Sequence, residues 1–186
     1  MKNILSENIQ NLTELAEDSE LLLRIEAAIR LVSTSLKSGA PLLVFGNGGS
    51  AADAHHISGE LVGKFNITRR GLNVICLNAN TTVLTAWAND VDYDTVFARQ
   101  VESHGQSGGV VWGLSTSGNS SSVINALEMA RNLGLATIAM TGRGGGKCAS
   151  VSDILIDVPS EDTPRIQELH LPIYHYMCME IEKKFS

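Results

Sequence analysis

The chain lacks a basic excess. Its 14 Lys and Arg stand against 20 Asp and Glu, a net charge of −6. A nucleic-acid or anionic-membrane surface needs clustered cations, so neither partner is expected. No apolar run approaches the ~20 residues that span a bilayer. The start, Met1-Lys2-Asn3-Ile4-Leu5-Ser6-Glu7, carries an early acid and no apolar core, which is not the pattern of a secretion signal. Cysteine is scarce and odd in number. Cys76, Cys148 and Cys178 lie far apart without a pattern. They read as incidental or buried thiols in a reducing compartment, and the cytoplasm is the expected location. Linkers, low-complexity segments and repeats beyond βα units are also missing, so residues 1–186 are expected to form one domain.

What is present is enough for a sizeable core: 186 residues, 44% hydrophobic. Residues 3–37 read as two helices, with an N-cap at Asp18-Ser19-Glu20 and a stop at Gly39. Leu22, Ile25, Ile29, Val32 and Leu36 mark an apolar stripe on the second. This hairpin (residues 1–40) is more than a sheet needs for cover, and it is expected either to cover one sheet face or to pack on another subunit. From residue 41 onward, short apolar runs alternate with helical segments. Strands are expected at Pro41–Phe45, Leu72–Leu77, Gly109–Leu114, Ala136–Met140 and Ile154–Val158. Helices are expected at Ser50–Lys64, in two pieces over 79–104 broken near Asn89-Asp90, at 120–132 and at about 164–184. Gly142-Arg143-Gly144-Gly145-Gly146 reads as a flexible loop. The fold class is therefore α/β: a five-stranded parallel sheet flanked by helices, behind an N-terminal helical hairpin.

Two turns carry candidate chemistry. Gly46-Asn47-Gly48-Gly49-Ser50-Ala51 fits the dinucleotide fingerprint G-x-G-x-x-A. That fingerprint also expects an acid at the end of the second strand, and here the chain reads Leu77-Asn78-Ala79-Asn80. A nucleotide enzyme is thereby weakened, and a plain tight turn would account for the glycines. The helix after the turn bears a polar stripe, Asp53, His56 and Glu60, with His55 turned away from it. A His/Glu pair one turn apart is also a common solvated surface pair.

The second turn, Ser115-Thr116-Ser117-Gly118-Asn119-Ser120-Ser121-Ser122, has six hydroxyl residues in eight. One helix cap needs one hydroxyl. Hydroxyls beside helix N–H groups make a phosphate cradle without fixed positive charge. Both turns belong at the carboxyl edge of the sheet, where open α/β folds bind ligands. On the last helix, His175 sits among Ile173, Tyr174, Tyr176 and Met177, company that equally suits a core histidine.

Taken together, Gly46–Ser50, His56 with Glu60, Asn89-Asp90, Ser115–Ser120, and Arg165-Ile166-Gln167-Glu168 followed by His170 and His175 resemble the sugar isomerase (SIS) domain family. Within it they are most similar to the phosphoheptose isomerases. The resemblance implies a homotetramer that converts D-sedoheptulose 7-phosphate to D-glycero-D-manno-heptose 7-phosphate, the entry to bacterial heptose synthesis for lipopolysaccharide or capsule. It implies that Ser115, Thr116, Ser117 and Ser120 take the phosphate, and that Asn47, Gly48, Gly49, Ser50, Asn89, Asp90 and Gln167 line the sugar beside Glu60. It also implies one Zn2+ per subunit on His56, Glu60, Gln167 and His175. Some relatives carry an acid where this chain has Pro164, so a role for an acid there is not expected.

Aldose–ketose exchange needs a base near carbon and an acid or electrophile near oxygen. Glu60 is the expected base and His175 the expected acid. Gln167 and His175 are eight residues apart, roughly 12 Å along a helix axis with an ~80° twist. Either the helix begins after Gln167, or one ligand comes from a neighbouring subunit. A non-catalytic SIS regulator, binding a sugar phosphate or a replication-initiation partner, is the second expectation.

Overall fold

A computed structural model describes residues 1–186. Helix α1 (Lys2–Glu17) turns at Asp18 into α2 (Ser19–Ser38). The Asp18 carboxylate accepts from Leu21 N at 2.9 Å, and Gly39 ends α2 with φ +87°, so both boundary residues act as expected.

The rest is β1 (Leu42–Gly46), α3 (Gly49–Val62), β2 (Val74–Cys76), α4 (Thr81–Asp90), α5 (Val96–His104), β3 (Val110–Ser115), α6 (Ser121–Asn132), β4 (Ala136–Thr141), β5 (Ile154–Asp157) and α7 (Thr163–Glu182). Single 3-10 turns at Tyr93–Thr95 and Gly146–Ser150 were not expected from the sequence. No helix is long and apolar enough to cross a membrane.

The five strands form one parallel sheet in the order β2-β1-β3-β4-β5. Val44 pairs with Trp112, Trp112 with Ile138, and Ile138 with Ile154. Alternate strand residues feed two separate cores, as a sheet covered on both faces requires. Val44, Trp112, Ile138 and Ile156 pack with α2, α3 and α7. Leu43, Phe45, Val111 and Ala139 pack with α5 and α6. Chain order reverses between β1 and β3, so α3 and α6 leave the sheet on opposite faces. A crevice opens between their N-termini, at the switch point where open α/β sheets hold ligands.

β2 is shorter than expected. It is an edge strand paired only with β1, and Leu72 N bonds back to Leu61 O instead of the ladder. The Gly142–Gly146 loop is a second correction, since it is packed rather than free. Gly142 N donates to Thr116 O at 2.9 Å, and Gly145 is buried with φ +74°. Close approach accounts for glycine on both sides of this contact: a methyl group on Gly142 would collide with the Thr116 carbonyl, and one on Gly118 of the serine turn with the Gly145 carbonyl. Cys148 N donates to Gly118 O and Lys147 N to Asn119 Oδ1, so this loop braces the serine turn from behind.

Candidate active site

The crevice is a cavity of about 320 Å³. Asn47, Gly48, Gly49 and Ser50 line it from the first turn, Ser115, Thr116, Ser117 and Ser120 from the second, and Gln167 from α7. Nine of the expected substrate residues thus meet in one place. Thr163, at the start of α7, joins them and was missed in the sequence, where nothing distinguishes it from an ordinary helix-start residue. A larger cleft of about 570 Å³ lies among Leu36, Arg70 and Phe185, at the amino ends of β1 and β2. It contains no acid–base cluster, so chemistry rather than size locates the site.

The two turns differ in what they leave free. In α3, Ser50 N and Ala51 N are bonded to Asn47 O and Gly48 O. In α6, the N–H groups of Ser120, Ser121 and Ser122 have no protein acceptor, and the Ser120 hydroxyl does not cap the helix. Three free N–H groups and the positive end of a helix dipole therefore stand at the Ser120 wall of the cavity, which Ser115 and Thr116 also line. Asn47 is occupied otherwise. Its amide donates to Ser120 Oγ at 2.8 Å and Ser122 Oγ at 3.0 Å, and its Oδ1 accepts from the Tyr93 hydroxyl at 2.6 Å. Asn47 ties the two turns together, and Tyr93 is a site-bordering residue that sequence spacing did not reveal. Asn78, in place of the ribose acid, bonds both Gly46 N (3.2 Å) and Gly46 O (2.8 Å) and so pins the first turn.

Deeper along α3, His56 Nε2 lies 3.1 Å from Glu60 Oε1 and 3.4 Å from His175 Nε2. Donor atoms of these three residues all lie within 4.8 Å of one another. Two imidazole nitrogens and one carboxylate oxygen, half-open to solvent, fit a divalent ion of the zinc type with room for further ligands. Burial, and then the neighbouring His56, push the His175 pKa down, with Glu60 opposing them. Phe65 sits edge-on to His175, ring centroids 5.5 Å apart. Tyr174 Oη lies 3.0 Å from His56 Nδ1 and donates to Asp53 Oδ1 at 3.3 Å, so the whole expected stripe of α3 faces α7. His55 is exposed and makes no side-chain hydrogen bond, in keeping with its place off the stripe.

Not every expected residue joins these groups. Asn89 and Asp90 end α4, exposed, with Asn89 Nδ2 bonded to Asp90 Oδ1 at 2.7 Å, and they do not line the cavity. Helix α7 includes both Gln167 and His175, which overturns the option that it begins after Gln167. The Gln167 amide packs against Gly49, where a methyl group would collide with it. Within one chain Gln167 therefore belongs to the serine-turn cavity, and the rise of α7 carries it away from the His56–Glu60–His175 cluster.

The SIS-domain family model matches residues 6–142. The phosphoheptose isomerase of Citrifermentans bemidjiense is 50% identical over 169 residues, 91% of this chain and 88% of that one. That of Helicobacter pylori strain P12 is 43% identical over 185 residues, 100% of this chain and 92% of that one. The solved phosphoheptose isomerase GmhA of Neisseria gonorrhoeae superposes with a TM-score of 0.91 at 38% identity, covering 98% of this chain and 96% of that one.

The chain belongs to the phosphoheptose isomerase family of SIS-domain proteins. The full-length matches matter for this family member, because the SIS model stops at residue 142 while Gln167 and His175 lie on α7. The family is enzymatic, which sets the regulator reading aside.

Proposed function

We propose that this family member interconverts D-sedoheptulose 7-phosphate and D-glycero-D-manno-heptose 7-phosphate. The observation that carries the reading is that one chain holds both a charge-free phosphate cradle at α6 and, roughly two to three turns along α3 from the first glycine turn, the His56–Glu60–His175 cluster. The phosphate would seat on the free N–H groups of residues 120–122 and the hydroxyls of Ser115, Thr116, Ser117 and Ser120. Anchoring it there orients carbons at the far end of the sugar toward Glu60. Gly48, Gly49, Ser50 and Gln167 line the same cavity as the cradle, with Asn89 and Asp90 outside one chain's cavity and open to a neighbouring subunit.

In the forward direction Glu60 Oε1 removes a proton from C1, and a proton passes to O2 from His175, giving an enediol. The O1 hydroxyl then releases its proton as the aldehyde forms, and C2 receives one. His175, with its pKa pushed down, acts as a neutral imidazole, whose N–H is a competent electrophile for a carbonyl. A zinc ion held on His56, Glu60 and His175 would supply Lewis-acid polarisation of the substrate oxygen. Gln167 would complete that set only from a neighbouring chain. His175 Nε2 can serve one role at a time, as ligand or as proton donor.

A homotetramer is supported by α1, which buries no residue and exposes Ile4, Leu5, Ile9 and Leu12, with Leu22 and Leu23 of α2 exposed as well. Three free, buried thiols are at home in the cytoplasm, where heptose precursors for lipopolysaccharide or capsule would be made.

NMR observation of sedoheptulose 7-phosphate mixed with the zinc-loaded protein tests the reading. Appearance of the heptose aldose is expected. Binding of the ketose without turnover would contradict this substrate assignment.

A further inference from the structure

The contacts behind His56 have a direction. The Tyr174 hydroxyl owns one proton and donates it to Asp53 Oδ1. With that proton on Asp53, its oxygen accepts from His56 Nδ1, 3.0 Å away. A neutral His56 then carries its proton on Nδ1 and turns the Nε2 lone pair toward Glu60 Oε1 and His175 Nε2; the competing arrangement has Nε2–H donating to Glu60 Oε1 and Tyr174 donating to Nδ1. We propose that Tyr174, backed by Asp53, is a positioning residue that holds His56 in the Nδ1–H tautomer and so presents Nε2 to a divalent cation. The proposal rests on the metal chemistry suggested for that cluster and extends it by one layer of residues.

Two further observations support it. Tyr174 is 1% exposed and packs edge-on against both His56 (centroids 5.4 Å) and His175 (5.1 Å), so its ring is fixed and its hydroxyl can reach only Asp53 Oδ1 and His56 Nδ1. Asp53 Oδ2 is buried without a partner, which leaves Tyr174 as the one side chain that donates to this carboxylate. Metal-bound histidines generally give their other ring N–H to an acceptor that fixes tautomer and orientation. Here a tyrosine oxygen is that acceptor, and a carboxylate decides which way the tyrosine proton points.

The test is the tautomer itself, read in the metal-free protein. Long-range 1H–15N spectra of histidine-labelled protein, at a pH where His56 is neutral, should show Nδ1–H in the wild type. In Asp53→Ala the freed hydroxyl turns to donate to Nδ1, and the proton should move to Nε2. Asp53→Asn keeps an acceptor oxygen and should keep the wild-type tautomer. Zinc affinity by chelator competition should fall about 10–100-fold in Asp53→Ala and Tyr174→Phe, and stay near wild type in Asp53→Asn. An unchanged tautomer in Asp53→Ala overturns the proposal, as does a switched tautomer with unchanged zinc affinity. If Tyr174→Phe does not fold, the two Asp53 variants decide. No substrate enters the spectra, so a protein that fails to isomerise but switches tautomer would count against the activity and not against this relay.

Discussion

His170 and His175, five residues apart on α7, meet opposite environments. His170 is fully buried, and its Nε2–H donates to Thr141 O at 3.1 Å. Burial pushes its pKa down to about 4, against the backbone bond's opposing effect. Because the folded value lies below the ordinary 6.5, the folded state resists a proton that the unfolded chain accepts. That contribution to stability is complete above pH 6.5 and is lost as pH falls toward 4, reaching about 2 kcal/mol by pH 5. His170→Gln keeps a donor for Thr141 O and removes the titration. The stability gap between wild type and variant, from denaturant unfolding at pH 7 and pH 5, should shift by roughly that amount in the variant's favour at pH 5. Parallel curves would refute the assignment. The family resemblance picked out His175, but the neighbours alone could not separate these two histidines, because each has apolar company. Only the phase of α7 does so, by burying Leu169, His170, Ile173, Tyr174 and Met177 while turning His175 to the edge.

At the level of elements, the strand–helix alternation was plain in the sequence because each strand is a short apolar run. The serine turn was equally legible, since six hydroxyls exceed what a cap uses. Connections that depend on distant partners were not. The Gly142–Gly146 loop looked mobile because glycine signals both freedom and close approach, and only the serine turn's position shows which applies. The loop after α3 is similar. Buried Glu182 accepts from the N–H groups of Phe65, Asn66 and Ile67 at 2.6–2.9 Å and pairs with buried Arg69 at 3.3 Å. Arg69 in turn donates to the carbonyls of Glu60 and Gly63. Removing the carboxylate strands a buried guanidinium and three N–H groups. Glu182→Ala should therefore destabilise the fold by about 3–5 kcal/mol in chemical denaturation. A loss under 1 kcal/mol would mean that the loop holds without this clamp.

For the whole molecule, the exposed apolar side chains of α1 and α2 are the feature one chain cannot explain. If they bury against other copies, Ile9→Asp with Leu23→Asp should yield monomers in sedimentation velocity. Activity should disappear with assembly, because Gln167, Asn89 and Asp90 do not reach the His56–Glu60–His175 cluster within one chain. A fully active monomer would show that the site is complete without a partner. The acidic net charge of −6 fits a protein whose ligand is a small sugar phosphate held by neutral donors.

On the proposed mechanism Glu60 moves the proton. Steady-state turnover of sedoheptulose 7-phosphate by Glu60→Gln, beside wild type and after confirming equal zinc content, tests it most directly. The expected result is a kcat lower by about 10²–10⁴-fold with KM little changed, since the phosphate cradle is intact. A Glu60→Gln enzyme with matched metal and near-wild-type kcat would contradict the claim and move the base elsewhere in the site.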